Sequence, residues 1–536
     1  MLAGGHVDPG GLVHWRRIDE GWPIMMWAMG GVVIGLSVGL VAFWGWARRG
    51  YRDAHDVDVL VVGGGAAGLT ASGMAARLGA RALLVESARL GGDCTWYGCV
   101  PSKALLATAS VVHQARRADA YGLGTAELEV DLAAVLDRVR GLQEEIYEDA
   151  DSPEVMGGYG VTCASGRVRF LDPHRAEIAG DDGETREVSF RWCVVATGSE
   201  PAMPDIEGLA DAAPSTNETL FGLEVLPRRL VVLGGGPIGC EMSQAFARLG
   251  SEVTLLQRGT HLLPRDPPEL VAHLTSALKR EGVDVRCDAE VVRVRRRDDG
   301  ARALDLADGT VVVGDALLVA TGRVPRLEGL GLDAAGVKTS PAGIVVDARG
   351  RTNVAHIFAT GDVAVGPKFT HWAEHASKVA ITNTVLGVPS RLQPESLVWT
   401  TNTDPEVAHC GLGFDALPDD ADTYRLPYSK IDRALTERRE EGMIHVYARR
   451  GRILGASAVG HLAGEVVAEL ALAKQNGITM RRLADTMHNY PSWTLGARRA
   501  ADQWYIQNTP VGLLRVLGRL RGLRGTVPDV DPDEVV

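Results

Sequence analysis

Cysteine is scarce in this chain, with seven in 536 residues. They are scattered and odd in number, so the fold is not stapled by disulfides and at least one thiol is left over, which points to a reducing compartment. Aromatic residues make up only 5%. Positive charge is not in excess either: Lys and Arg number 56 against 68 Asp and Glu, a formal net charge of −12. Phosphate backbones are held by clustered Lys and Arg, so no nucleic acid partner is expected. What remains is 46% apolar residues and 64 glycines, a composition suited to an α/β protein with many tight strand-to-helix turns. At about 150 residues per domain, the length calls for three or four globular units.

Charge is absent altogether between Gly21 and Ala47. As a helix, Ile24 to Trp46 would span roughly 35 Å, enough for a bilayer core of about 30 Å. Trp22 and Trp27 stand at one end and Trp44 and Trp46 at the other, where an indole is favoured at the membrane interface. The run is too long for a signal peptide and ends in Ala47-Arg48-Arg49, without a small-residue cleavage site. The sequence therefore predicts a tail over 1–23, one transmembrane helix over 24–46 and single-pass membrane attachment. Arg48, Arg49 and Arg52 after the span, against Arg16 and Arg17 before it, favour a body on the cytoplasmic side by three to two, the reducing side that the cysteine usage also calls for.

Beyond the span, the apolar run Val57 to Val62 leads into Gly63-Gly64-Gly65-Ala66-Ala67-Gly68 and an Ala-rich helical stretch. Glu86 closes the next apolar run. A glycine turn between strand and helix lets backbone N–H groups approach a pyrophosphate at the helix N-terminus, and an acid about 20 residues on is placed for a ribose hydroxyl. Gly63, Gly65, Gly68 and Glu86 are therefore candidate dinucleotide ligands. The arrangement recurs after Leu230 to Leu233 in Gly234-Gly235-Gly236-Pro237-Ile238-Gly239, so Gly234, Gly236 and Gly239 serve a second site. There the position matching Glu86 is Gln257, followed by Arg258. A neutral residue and a cation suit the 2′-phosphate of NADPH, with NADH the alternative.

Between the two turns lies Gly91-Gly92-Asp93-Cys94-Thr95-Trp96-Tyr97-Gly98-Cys99-Val100-Pro101-Ser102-Lys103. Two cysteines five apart at the start of a helix can close a small disulfide, and the helix N-terminus lowers a thiol pKa. This segment resembles the redox signature of the class I pyridine nucleotide-disulfide oxidoreductases, which include glutathione reductase, dihydrolipoamide dehydrogenase and mercuric reductase. The resemblance runs over residues 56–505, through Ala196-Thr197-Gly198, Ala320-Thr321-Gly322-Arg323-Val324-Pro325 and Ala359-Thr360-Gly361-Asp362-Val363.

The resemblance implies an α/β fold with two Rossmann-like dinucleotide-binding domains and an α+β C-terminal domain. An FAD-binding domain would occupy 56–205 and 326–390, an NAD(P)-binding domain 206–325, and a homodimer-forming domain 391–505. Cys99 would be the thiolate beside the flavin and Cys94 the outer thiol that meets a small-molecule electron acceptor. Lys103 would lie near flavin N5 with Glu241 as its partner. Thr197, Gly198, Gly322 and Arg323 would join the cofactor sites, with Asp362 near the ribityl chain. The five other cysteines read as small buried hydrophobes.

Disulfide reductases of this family carry a C-terminal His-Pro with a Glu five residues after the His. Here those positions are Tyr490 and Leu495. A phenol with a pKa near 10 cannot cycle a proton at pH 7 as imidazole does. Tyrosine at this point is similar to mercuric reductases, although the final residues, Asp531 to Val536, hold no adjacent cysteines to deliver mercury. His488 is the candidate replacement base. His371 and His375 read as one face of an ordinary helix, so no metal site is expected. Residues 506–536 form a basic amphipathic segment and an acidic tail; the stripe Leu513, Val516, Leu517, Leu520 and Leu523 predicts a helix lying on the membrane surface. The expected function is an FAD-dependent NAD(P)H oxidoreductase that reduces a thiol-reactive metal ion or a disulfide. The alternative is a membrane-tethered flavoprotein that reduces a quinone or another small acceptor.

Overall fold

The computed structural model describes residues 54–525. The tail and transmembrane helix expected over 1–46 lie outside the described residues, as does the end of the acidic tail. Among the described residues no helix is long and apolar enough to cross a membrane. The single-pass membrane location is therefore corrected. Apolar runs of the described unit such as Val57–Val62 and Ala82–Glu86 are short strands buried in sheets, not stretches of about 20. The amphipathic segment does form a helix, Val511–Leu520, with no buried side chain, and its ten residues are too few to span a bilayer.

The first sheet is built on Val57–Val62, which pairs in parallel with Ala82–Glu86 on one side and Thr185–Val195 on the other. Both faces of this strand are covered: Leu60 and Val62 belong to one apolar cluster, Val59 and Val61 to another. That explains why its sequence is continuously apolar instead of alternating. Ile357–Ala359 returns to the same sheet and pairs with Cys193 to Val195, so the chain leaves this sheet and re-enters it.

The excursion contains a second sheet, all parallel, ordered Asp284–Arg286, Glu252–Leu256, Arg229–Leu233, Ala316–Val319. The helices Pro237–Leu249 and Pro268–Arg280 pack on it through Phe246, Leu249, Leu270 and Leu274. In the parallel part of each sheet the glycine turns lie at the carboxyl ends of the strands, where open α/β sheets bind ligands.

The third unit is an antiparallel five-stranded sheet ordered Val398–Thr401, Glu406–Gly411, Arg452–Gly460, Met443–Arg449, Asp422–Pro427. The helices Ala463–Gln475 and Leu495–Gln507 bury its other components in a separate core of Ile444, Val446, Val466 and Leu470.

Candidate active site

One continuous cavity of about 1450 Å³ reaches from Gly65 of the first glycine turn to Gln257 and Arg258 beyond the second. Cys94, Cys99, Lys103, Gly198, Gly234, Gly236, Glu241, Gly322, Arg323 and Asp362 all line it. Sequence positions more than 250 residues apart thus converge on one space. Thr197 does not line it: its hydroxyl donates to the Arg326 carbonyl at 2.8 Å.

The two glycine turns have the same construction. A Cβ at Gly68 would stand 1.8 Å from the Gly63 carbonyl oxygen, and one at Gly239 would stand 1.8 Å from that of Gly234. Glycine is what lets each helix pack against its own turn. At Gly236, by contrast, nothing lies within 4 Å of such a Cβ; the backbone faces open cavity. Glu86 accepts from the Gly64 N–H at 2.5 Å and from Ala88 at 2.8 Å. Gln257 copies it, accepting from Gly235 at 3.0 Å while its amide donates to the His261 carbonyl. The second site therefore presents no carboxylate at that strand end.

The redox pair straddles a short helix, Gly92–Trp96, and the start of a longer one, Cys99–Arg116. The two sulfurs are not bonded to each other; Cys94 is half-buried and Cys99 is open to the cavity. A hydrogen bond from Cys94 lowers the Cys99 thiol most. Burial opposes it, and the Thr370 hydroxyl and Lys103 ammonium add to the lowering, leaving Cys99 at about 6. Cys94 is pushed up by the same hydrogen bond and by burial. The pair thus shares one negative charge, held on Cys99.

The stretch between the cysteines is held from outside. Gln143 donates to the carbonyls of Thr95 and Trp96 at 3.0 and 2.8 Å. Thr95 donates to Asp151 at 2.7 Å, and Asn217 donates to Asp93 and to the Tyr97 carbonyl. Arg89 stacks over Trp96 and Tyr147 and pairs with Glu144. The Lys103 ammonium bridges both oxygens of Glu241 at 3.0 and 2.9 Å. Arg323 links three parts of the site: it donates to Ser199 at 2.7 Å and to Asp93 at 2.9 Å, and Ser199 donates to Asp362 at 2.6 Å.

The structure does not bring Tyr490 or His488 to this cavity within one chain. Tyr490 is 70% exposed, and a hydrogen bond with Asp432 raises its phenol further. Leu495 is buried in the core. His488 faces Glu469 at 2.6 Å and the Thr486 carbonyl at 3.0 Å. His371 and His375 meet backbone groups, the Val398 carbonyl and the Gln393 N–H. Thr370, Asn402, Gln143, Asn217 and Ser199 are not legible from the sequence, since none of them stands within one of its motifs.

This geometry matches known proteins. Residues 57–377 match the pyridine nucleotide-disulphide oxidoreductase family, and 398–500 match its dimerisation domain. The chain belongs to this family. It is 35% identical to a mercuric reductase of Streptomyces lividans over 458 residues, covering 83% of this chain and 95% of that one. It is 36% identical to a dihydrolipoyl dehydrogenase of Thermus scotoductus, covering 84% and 98%. The crystal structure of LpdA from Mycobacterium tuberculosis superposes with a TM-score of 0.77 at 27% identity, covering 84% of this chain and all of that one.

The protein is thus an NAD(P)H-dependent flavoprotein of the disulfide oxidoreductase type. The chain's residues fit both cofactors. The open backbone at Gly236 is a cradle that a side chain would fill, the glycine-turn N–H groups suit a pyrophosphate, and one cavity joins both turns to the thiols.

Proposed function

We propose that this flavoprotein takes electrons from NADPH and delivers them through the Cys94–Cys99 pair to a soft, thiol-reactive metal ion such as Hg(II). The observation that carries this reading is the pair Tyr490 and Leu495, an exposed phenol with a raised pKa and a buried aliphatic group where a disulfide reductase holds its His–Glu dyad. Opening a disulfide releases thiolates that need a proton donor. Reducing Hg(II) consumes the two electrons of one NADPH and yields Hg(0), NADP⁺ and a proton, with no acid required.

The chain's residues suit that task. Thiolates are the preferred ligands of soft metals, and Cys99 is largely ionised at pH 7. Cys94, which holds its proton, gives it up as a metal binds, since coordinated thiols are deprotonated. FAD supplies the two-electron step between the nicotinamide and the thiols. Lys103, held by Glu241, adds a cation that favours the reduced flavin. The neutral Gln257 and the adjacent Arg258 support NADPH over NADH. The dimerisation domain supports a homodimer in which Tyr490 reaches the partner's cavity, with His488 and Glu469 anchoring the loop that carries it. Identity does not separate mercuric reductases from dihydrolipoyl dehydrogenases here, since both reach about one third. The membrane-tethered quinone alternative rested on the missing His–Glu dyad and on the membrane location; the location is corrected above, and the missing dyad is equally met by a metal-ion acceptor, which needs no acid.

The test is a turnover panel: NADPH oxidation with Hg(II), lipoamide or glutathione disulfide, before and after alkylation of the reduced thiols. Hg(II) should support turnover that alkylation abolishes, with both disulfides at least about a hundredfold slower, in line with the loss expected when a general acid–base group is missing. Lipoamide or glutathione disulfide turning over as fast as Hg(II) would overturn the proposal.

A further inference from the structure

The helix Pro237–Leu249 carries Glu241, Gln244 and Arg248, all buried. Steps of three and four residues put them on one face. All three end on Asn402 and Asp404, just beyond the strand Val398–Thr401 of the third domain. Asn402 gives Glu241 Oε1 two donors, its backbone N–H at 2.8 Å and its side-chain amide at 3.1 Å. Gln244 accepts from the Asp404 N–H and donates to the Asp404 carbonyl, both at 2.7 Å. Arg248 meets the Asp404 carboxylate at 3.0 Å and Glu281 at 2.7 Å.

Glu241 Oε1 is therefore shared between Asn402 and Lys103, while Oε2 faces Lys103. Lys103 has a long, rotatable stem and is 42% exposed toward the cavity. Packing alone does not fix such an ammonium. The direction it points is set by the rotamer of a carboxylate that is 4% exposed, and that rotamer is set by the donors around it.

We propose that Asn402 is a positioning residue for electron entry: its side-chain amide holds Glu241 in the rotamer that aims Lys103 into the flavin site. A loop of the dimerisation domain thus controls the lysine of another domain through one helix of the nicotinamide domain. Asn402 touches neither thiol and takes no proton; it acts only through Glu241. The inference concerns electron entry and goes beyond the choice of acceptor proposed above, so an experiment without any acceptor tests it separately.

The experiment mixes the FAD-loaded enzyme anaerobically with NADPH and follows flavin absorbance in wild type, Asn402→Ala and Asn402→Asp. The alanine variant keeps the backbone bond and loses the amide, so the limiting rate of flavin reduction should fall about tenfold, the scale of one hydrogen bond to a charged group. The aspartate variant sets a second carboxylate against Glu241 and should fall further. In both, the NADPH concentration giving half the limiting rate should stay unchanged, and the oxidised flavin spectrum should shift as Lys103 moves. Wild-type limiting rates and spectra in the folded variants would overturn the proposal, as would an effect confined to NADPH affinity. If Asn402→Asp does not fold, Asn402→Ala decides the matter alone.

Discussion

Thr370 opens the helix Thr370–Ile381 with its hydroxyl 3.6 Å from the Cys99 sulfur. A hydroxyl that donates to a thiolate favours the charged form. Thr370 therefore joins the Cys94 thiol and Lys103 in keeping Cys99 at about 6 against the burial that opposes them. Thr370→Val keeps the shape and removes the donor. Alkylation of Cys99 in the reduced enzyme, followed against pH, should show its midpoint moving up toward the ordinary thiol range, with the rate at pH 7 several-fold lower. A midpoint unmoved from wild type would remove Thr370 from the account of the thiolate.

The buried cation Arg248 is matched by Glu281 and Asp404, and Arg439 closes the cluster with two contacts to Asp404 at 2.9 Å. Burial alone would raise the Asp404 carboxyl, but Arg248 and Arg439 outweigh it and hold it at about 2. Its folded pKa lies below its unfolded value, so its contribution to stability is present above about pH 4 and is lost as the pH falls toward 2. Asp404→Asn should cost about 2 kcal/mol at pH 7. In urea unfolding, that difference should shrink below pH 4 and be gone near pH 2. A difference as large at pH 3 as at pH 7 would show that packing, not charge, is its source.

Nicotinamide choice is testable at one strand end. Gln257→Glu combined with Arg258→Ala places a carboxylate where it accepts from a 2′-hydroxyl and repels a 2′-phosphate. The ratio of kcat/KM for NADPH over NADH should fall by about tenfold or more, the equivalent of about 1.4 kcal/mol. An unchanged ratio would take Arg258 off the specificity residues.

What could be read from sequence was carried by local spacing. The two glycine turns, the strand-end Glu86 and its counterpart Gln257 follow from a repeat of strand, turn and helix, and the structure sets both side chains on their own turns. Lys103 and Glu241 lie 138 residues apart, and no spacing rule joins them; only the family resemblance paired them. Asn402 sits in the polar run Thr400-Thr401-Asn402-Thr403, which reads as an ordinary turn until the third domain is docked against the helix Pro237–Leu249. Thr370 was hidden in the same way, because a hydroxyl at a helix start reads as a capping residue and not as a neighbour of a sulfur 271 residues away. The membrane location came from an uncharged run over 21–47, which lies outside the described residues; among those, no helix is long and apolar enough to cross a membrane.

The central claim is that electrons leave this flavoprotein from the thiols to a soft metal. The most direct test is anaerobic stoichiometry: elemental mercury released per NADPH oxidised, measured for the wild type, Cys94→Ala and Cys99→Ala with Hg(II) bound to excess small thiol. The account predicts one Hg(0) per NADPH in the wild type and no catalytic release from either variant. NADPH oxidation without mercury release, or full release from a variant lacking one of the two thiols, would contradict it.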